Sequence, residues 1–141
     1  MPHARELKGR IALVTGERGR ALARGLARRG ATVVVTRGDE RGAAALAHRL
    51  AAQTGNADIH PLVLDLTSLP SVRRGAREFI EHFGRLHLLV TDTAGHRLGA
   101  FLLAHLLLDT MKLSSSGRIV RLTRAHDPQQ VLSVTRWEGT V

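Results

Sequence analysis

The sequence contains no cysteine and no tyrosine. The missing cysteine excludes disulfide scaffolds, thiolate metal sites and cysteine nucleophiles together. Aromatic residues make up only 3% of the chain, too few for the stacking platforms on which single-stranded nucleic acids bind. Long apolar runs are also missing. The most hydrophobic stretch, residues 98–108, is interrupted by His105 and stops at Asp109, short of the ~20 residues that cross a bilayer. Residues 1–10 are polar with no apolar h-region, so no signal peptide is expected. A soluble, cytoplasmic, bacterial protein is the expectation. Eight histidines are present, but none falls in an H-E-x-x-H or comparable ligand pattern, and no metal site is expected. His96 and His105 are nine apart, on opposite faces of any helix that holds both. His105, set among leucines, is expected to be buried. No G-x-S-x-G elbow or serine triad occurs.

The chain is 141 residues long and 43% hydrophobic. That length suits one domain and hides roughly two-thirds of the unfolded surface. Its formal charge is +9, and 19 of the 21 basic residues are arginine. The arginines are spread over three of the four predicted helices rather than clustered, with no helix-turn-helix pattern. Nonspecific phosphate affinity follows from such a charge, a specific nucleic-acid site does not.

Apolar runs alternate with helical periodicity. Residues 11–14 form a continuous apolar run between Gly9 and Gly16, which predicts a buried strand. Residues 21–29 carry Leu22 and Leu26 four apart and stop at Gly30, as a helix does at its C-terminus. Further strands are predicted at 31–36, 59–64, 86–90 and 118–123, and helices at 40–53, 68–83 and 98–113. In the third helix, Val72, Ala76, Phe79 and Phe83 share one face, and Pro70 suits a first turn. The order β-α-β-α-β-α-β-α-β, with strands lacking polar alternation, predicts an α/β fold. A doubly wound parallel sheet of about five strands in order 3-2-1-4-5 is the leading topology. Residues 1–126 are read as this domain. Residues 127–141 are read as an irregular tail, with one further strand considered at 131–134.

The first strand ends in Val14-Thr15-Gly16 just before a helix. In this architecture that turn presents backbone amides to an anion, and glycine admits a pyrophosphate. Gly16 and Gly19 fit such a turn, although the three-glycine fingerprint is incomplete and a plain glycine turn has the same residues. Residues 7–16 resemble the opening of the short-chain dehydrogenases/reductases, especially the retinol-dehydrogenase-like branch. Residues 23–34 are similar to that family's first helix and second strand. Asp65-Leu66-Thr67-Ser68 resembles its D-L-x-S stretch, and residues 83–90 resemble its run into N-N-A-G. Residues 98–103 and 117–120 resemble the following helix and strand. The resemblance spans about residues 5–126 and implies a Rossmann-like NAD(P)-binding domain.

The resemblance assigns cofactor contacts to Thr15, Gly16, Gly19, Arg37, Asp65, Leu66, Ala94 and Gly95. Arg37, closing the second strand, matches the arginine that holds the 2′-phosphate of NADP(H); it also fits a solvated surface arginine. Asp65 matches the aspartate near the adenine amino group, or is a capping or turn-forming aspartate. Ala94 and Gly95 line the path of sugar and phosphates, or make a turn. Several positions depart from the family. The glycine turn is about three residues shorter, and Glu17 brings a carboxylate toward the pyrophosphate, with Arg18 and Arg20 available to offset it. N-N-A-G reads Thr91-Asp92-Thr93-Ala94-Gly95, and the helical segment that follows it in the family is absent. His96 stands at the catalytic asparagine and Arg124 at the catalytic serine. The proton-donating tyrosine of Y-x-x-x-K has no counterpart among the 141 residues. No catalytic residue is therefore assigned, and impaired family chemistry or a noncatalytic role is expected. The helix at 98–113 is apolar on nearly every face, which predicts homo-oligomerisation through it.

Overall fold

The computed structural model describes residues 6–92, 96–114 and 117–122, and the backbone of 132–136. Strand β1 is Ile11–Val14, β2 Thr32–Arg37, β3 Ile59–Val63, β4 Leu88–Asp92, β5 Arg118–Leu122 and β6 Leu132–Arg136. Between them lie helices α1 (Arg20–Arg28), α2 (Glu40–Thr54), α3 (Leu69–Phe83), α4 (Arg97–Leu106) and α5 (Leu108–Lys112). The first five strands are parallel in the predicted order 3-2-1-4-5. The stretch expected to be an irregular tail contributes a sixth strand. β6 runs antiparallel to β5, from Arg118 opposite Arg136 to Leu122 opposite Leu132.

Period-two alternation splits the core into two layers. Val33 and Val35 face one side of β2, where Ala23, Ala27, Leu46 and Leu50 of α1 and α2 cover them. Val34 faces the other side with Leu13 and Leu89, beneath Val72, Phe79 and Leu103 of α3 and α4. The helix starts are built locally. The Asp39 carboxylate accepts from Gly42 N at 2.6 Å, and Ser68 Oγ accepts from Ser71 N at 3.3 Å. Each satisfies an amide that the first helical turn leaves without an intrahelical partner. Asn56 ties two loops together: its Nδ2 donates to Ala27 O and Ala31 O, both at 2.9 Å.

Edge strand β3 contains Pro61. Leu64 N donates to Arg37 O at 2.8 Å, and the same alternation turns residue 61 away from β2. The proline's missing amide therefore falls on the open side of the sheet, where a strand tolerates it.

The C-terminal half of the fold differs from expectation at three places. The single helix expected at 98–113 breaks at Leu107, which is fully buried along with Leu103 and Met111. The three residues lie four apart, and the bonds Leu107 N to Leu103 O and Met111 N to Leu107 O, both 3.0 Å, carry them across the break on one face. His105 is exposed rather than buried; lying two residues from both Leu103 and Leu107, it is about half a turn from the buried face. On α4 the fully outward apolar surface lies at two residues. Leu98 and Phe101 are 66% and 71% exposed, while Gly99, Ala100 and Leu103 point inward.

Candidate functional site

The C-terminal ends of β1, β2, β3 and β4 open into one cavity of about 440 Å³. It lies at the topological switch point between β1 and β4, where open α/β sheets bind ligands. Gly16, Arg37, Asp65 and Leu66 of the expected set line it, with Glu17, Arg18, Asp92 and His96 alongside.

Gly16 forms the turn after β1 with φ +84°, a left-handed value that favours glycine. A side chain here would also collide with Asp92, since a Cβ would fall 2.6 Å from the Asp92 Cβ. A short 3₁₀ turn, Glu17–Gly19, leads into α1, and no side chain caps either helix start. The two remaining turn residues act from beneath. Thr15 is buried, its amide and Oγ1 both donating to Val90 O at 2.9 and 3.1 Å, so it joins β1 to β4 instead of lining the cavity. Gly19 is buried as well, and a Cβ there would come within 2.5 Å of Val14 Cγ1. Its role is close packing of the turn on β1.

Arg37 closes β2 at the cavity wall. Its Nη1 lies 3.3 Å from Glu17 Oε1, with the Arg37 side chain 24% and the Glu17 side chain 79% exposed. Across the cavity Arg18 Nε lies 3.5 Å from Asp92 Oδ2. The carboxylate at Glu17 is thus offset by Arg37, not by Arg18 or Arg20. Asp65 is a turn former that also reaches the cavity. Its Oδ1 accepts from Thr67 N at 2.9 Å and from Thr67 Oγ1 at 2.6 Å. These bonds, the hydroxyl first, hold its carboxyl below the ordinary value of 3.8, with a lesser contribution from the charge of His96. Asp65 stays ionised and a hydrogen-bond acceptor.

Ala94 and Gly95 lie outside the described residues, as do Thr123 and Arg124. Arg18, Asp92 and His96 were not assigned to the cofactor from sequence. β4 was expected to end at Val90; it runs on to Asp92 because β5 continues the ladder, with Asp92 opposite Leu122. That extension carries Asp92 to the cavity. Among the described residues, no group of three or more histidines, aspartates or glutamates is placed to hold a metal ion. No helix among them is long and apolar enough to cross a membrane.

A parallel sheet in this order, with a glycine turn and an arginine around the cleft beyond its strands, defines a Rossmann-like dinucleotide-binding architecture. A short chain dehydrogenase family model matches residues 10–102, and the chain belongs to that family, in its retinol-dehydrogenase-like branch. Dehydrogenase/reductase SDR family member 13 of Bos taurus is 38% identical, covering 96% of this chain but 41% of the relative. Retinol dehydrogenase 11 of Mus musculus is 34% identical over 84% of this chain and 44% of the relative. The chain spans less than half the length of these relatives. The bovine match runs over 156 aligned positions, more than the 141 residues present, so the relative carries internal residues that this chain lacks. Among solved structures, the Pseudomonas aeruginosa RhlG/NADP active-site complex superposes with a TM-score of 0.69 at 31% identity, covering 82% of this chain and 51% of that one.

Proposed function

We propose that this chain binds a nicotinamide dinucleotide through its adenosine half, NADP(H) in preference to NAD(H), and does not alone carry out the family's oxidoreduction. The observation that carries this is Arg37, placed by the end of β2 on the wall of the cavity that Gly16 opens. The residues fit the group. Gly16 lets an anion approach the backbone at the start of a helix, and the Arg37 guanidinium suits a phosphate in bidentate fashion. Asp65 presents an ionised acceptor to an amino group. The similarity to the RhlG/NADP complex supports the same reading.

When bound, the cofactor supplies hydride transfer. The accompanying proton needs a positioned acid, worth about 10²–10⁴-fold in rate, and the tyrosine that serves the family is missing here. Calorimetric titration with NADPH and NADH tests binding. Arg37→Asp is expected to weaken NADPH more than NADH; equal losses, or no binding by the unsubstituted protein at millimolar dinucleotide, refute it. No carbonyl reduction or alcohol oxidation is expected, and turnover of a ketone or retinal-like substrate refutes that part.

A noncatalytic association role has its own support in Leu98 and Phe101, exposed three residues apart on α4. Apolar surface so placed favours a second copy. Sedimentation at micromolar concentration is expected to show a dimer or larger, dissociated by Leu98→Glu with Phe101→Glu. A monomer of 15.3 kDa ends this reading.

A further inference from the structure

The arginine that would take the 2′-phosphate already has an anion beside it. We infer that Glu17 is an intramolecular competitor for Arg37, which narrows the preference of this cavity for 2′-phosphorylated over unphosphorylated dinucleotides. The inference rests on the dinucleotide reading above and goes beyond it by assigning Glu17 control of specificity.

The two partners are unequally held. Arg37 is a strand residue whose carbonyl accepts from Leu64 N at 2.8 Å, and its side chain is mostly covered. Glu17 sits in the 3₁₀ turn with its carboxylate largely in water. The pair spans the cavity mouth from β1 to β2, and both residues line the cavity. A phosphate that takes Arg37 Nη1 displaces the Glu17 carboxylate, and one that takes the other guanidinium donors is repelled by it at short range. Displacement is affordable because an exposed pair at 3.3 Å is weak. The carboxylate therefore lowers affinity for a 2′-phosphate without closing the site. A dinucleotide with a free 2′-hydroxyl leaves the Glu17–Arg37 contact in place and does not meet this cost.

Calorimetry of the unsubstituted chain, Glu17→Gln, Arg37→Ala and the double variant, each with NADPH and NADH, tests it. Adenosine 2′,5′-bisphosphate against 5′-AMP repeats the comparison without the nicotinamide half. Glu17→Gln is expected to widen the NADPH-over-NADH affinity ratio by about two- to fivefold, the size of an exposed ion pair. The same widening is expected for the bisphosphate over 5′-AMP, and none in the Arg37→Ala background. If Glu17→Gln tightens both dinucleotides equally, Glu17 is a general repulsive charge and the inference falls. An unchanged ratio, while Arg37→Ala still weakens NADPH, also overturns it and leaves cofactor binding standing. Failure of both the unsubstituted chain and Glu17→Gln to bind either dinucleotide refutes the cofactor reading itself.

Discussion

Gly99 offers a sharp test of how α4 is seated. A Cβ at this position would lie 2.0 Å from the carbonyl oxygen of Leu66, 2.8 Å from its carbonyl carbon and 3.1 Å from its Cα. All three are backbone atoms, so no rotamer change relieves the overlap. A close C···O contact is ordinarily about 3.3 Å, so Gly99→Ala requires α4 and the loop after β3 to part by about 1 Å or more. Overpacking of this kind costs about 1–3 kcal/mol. Helix propensity acts oppositely, favouring alanine by about 1 kcal/mol. Gly25, exposed on α1, isolates that second effect because a Cβ there meets nothing within 4 Å. Gly25→Ala is therefore expected to stabilise by up to about 1 kcal/mol, while Gly99→Ala is expected to destabilise by up to about 2 kcal/mol net. Urea unfolding followed by circular dichroism measures both, and the difference of sign is the result to look for. A Gly99→Ala protein stabilised as much as Gly25→Ala would show that α4 does not press on Leu66.

Three further outcomes are expected. His87 Nδ1 accepts from Ile11 N at 3.0 Å, which requires a neutral ring, and burial, then Arg10 and Arg85, hold its pKa below the ordinary 6.5. Because the folded value is the lower one, its stabilisation is present above about pH 6.5 and is lost as pH falls through the folded value. His87→Asn, which keeps an acceptor that does not titrate, is expected to remove that part of the loss in denaturant titrations between pH 7 and 5. Asn56→Ala removes the side-chain donor from the carbonyls of Ala27 and Ala31, of which Ala27 O keeps Gly30 N at 3.0 Å, and is expected to cost about 1–3 kcal/mol in the same assay. Phe79→Ala empties a fully buried position and is expected to cost about 3–5 kcal/mol; a loss under 1 kcal/mol would mean that the surrounding core collapses into the space.

The sheet was legible because its determinants are local. Ile11–Val14 is a continuous apolar run and is β1 as predicted, and Ser68 and Pro70 mark the start of α3 in sequence as in structure. Boundaries fixed by a neighbour were not. β4 reaches Asp92 only because β5 continues beside it. The break at Leu107 is a single residue that leaves the helical φ/ψ, and the uniform leucine run around it carries no stop signal to read. In the cavity, Gly16, Arg37, Asp65 and Leu66 were found through the order of short motifs. The ion pairs were invisible, joining residue 17 to 37 and 18 to 92, separations across which sequence carries no periodic signal. The resemblance assigns Thr15 and Gly19 to the ligand, while the hydrogen bonds of Thr15 and the packing of Gly19 hold the turn itself.

Pro61 also bears on solubility. A parallel sheet that ends in an open strand offers any extended chain a row of donors and acceptors, the usual start of fibrous or edge-to-edge aggregation. In β3 the central outward donor has been deleted covalently, so a second strand laid along this margin loses a bond in the middle of a five-residue ladder. With a net charge of +9 opposing close approach of copies, one imino acid leaves the margin a poor template. Pro61→Val would restore the donor and a β-branched side chain together, and turn that margin into a nucleation site.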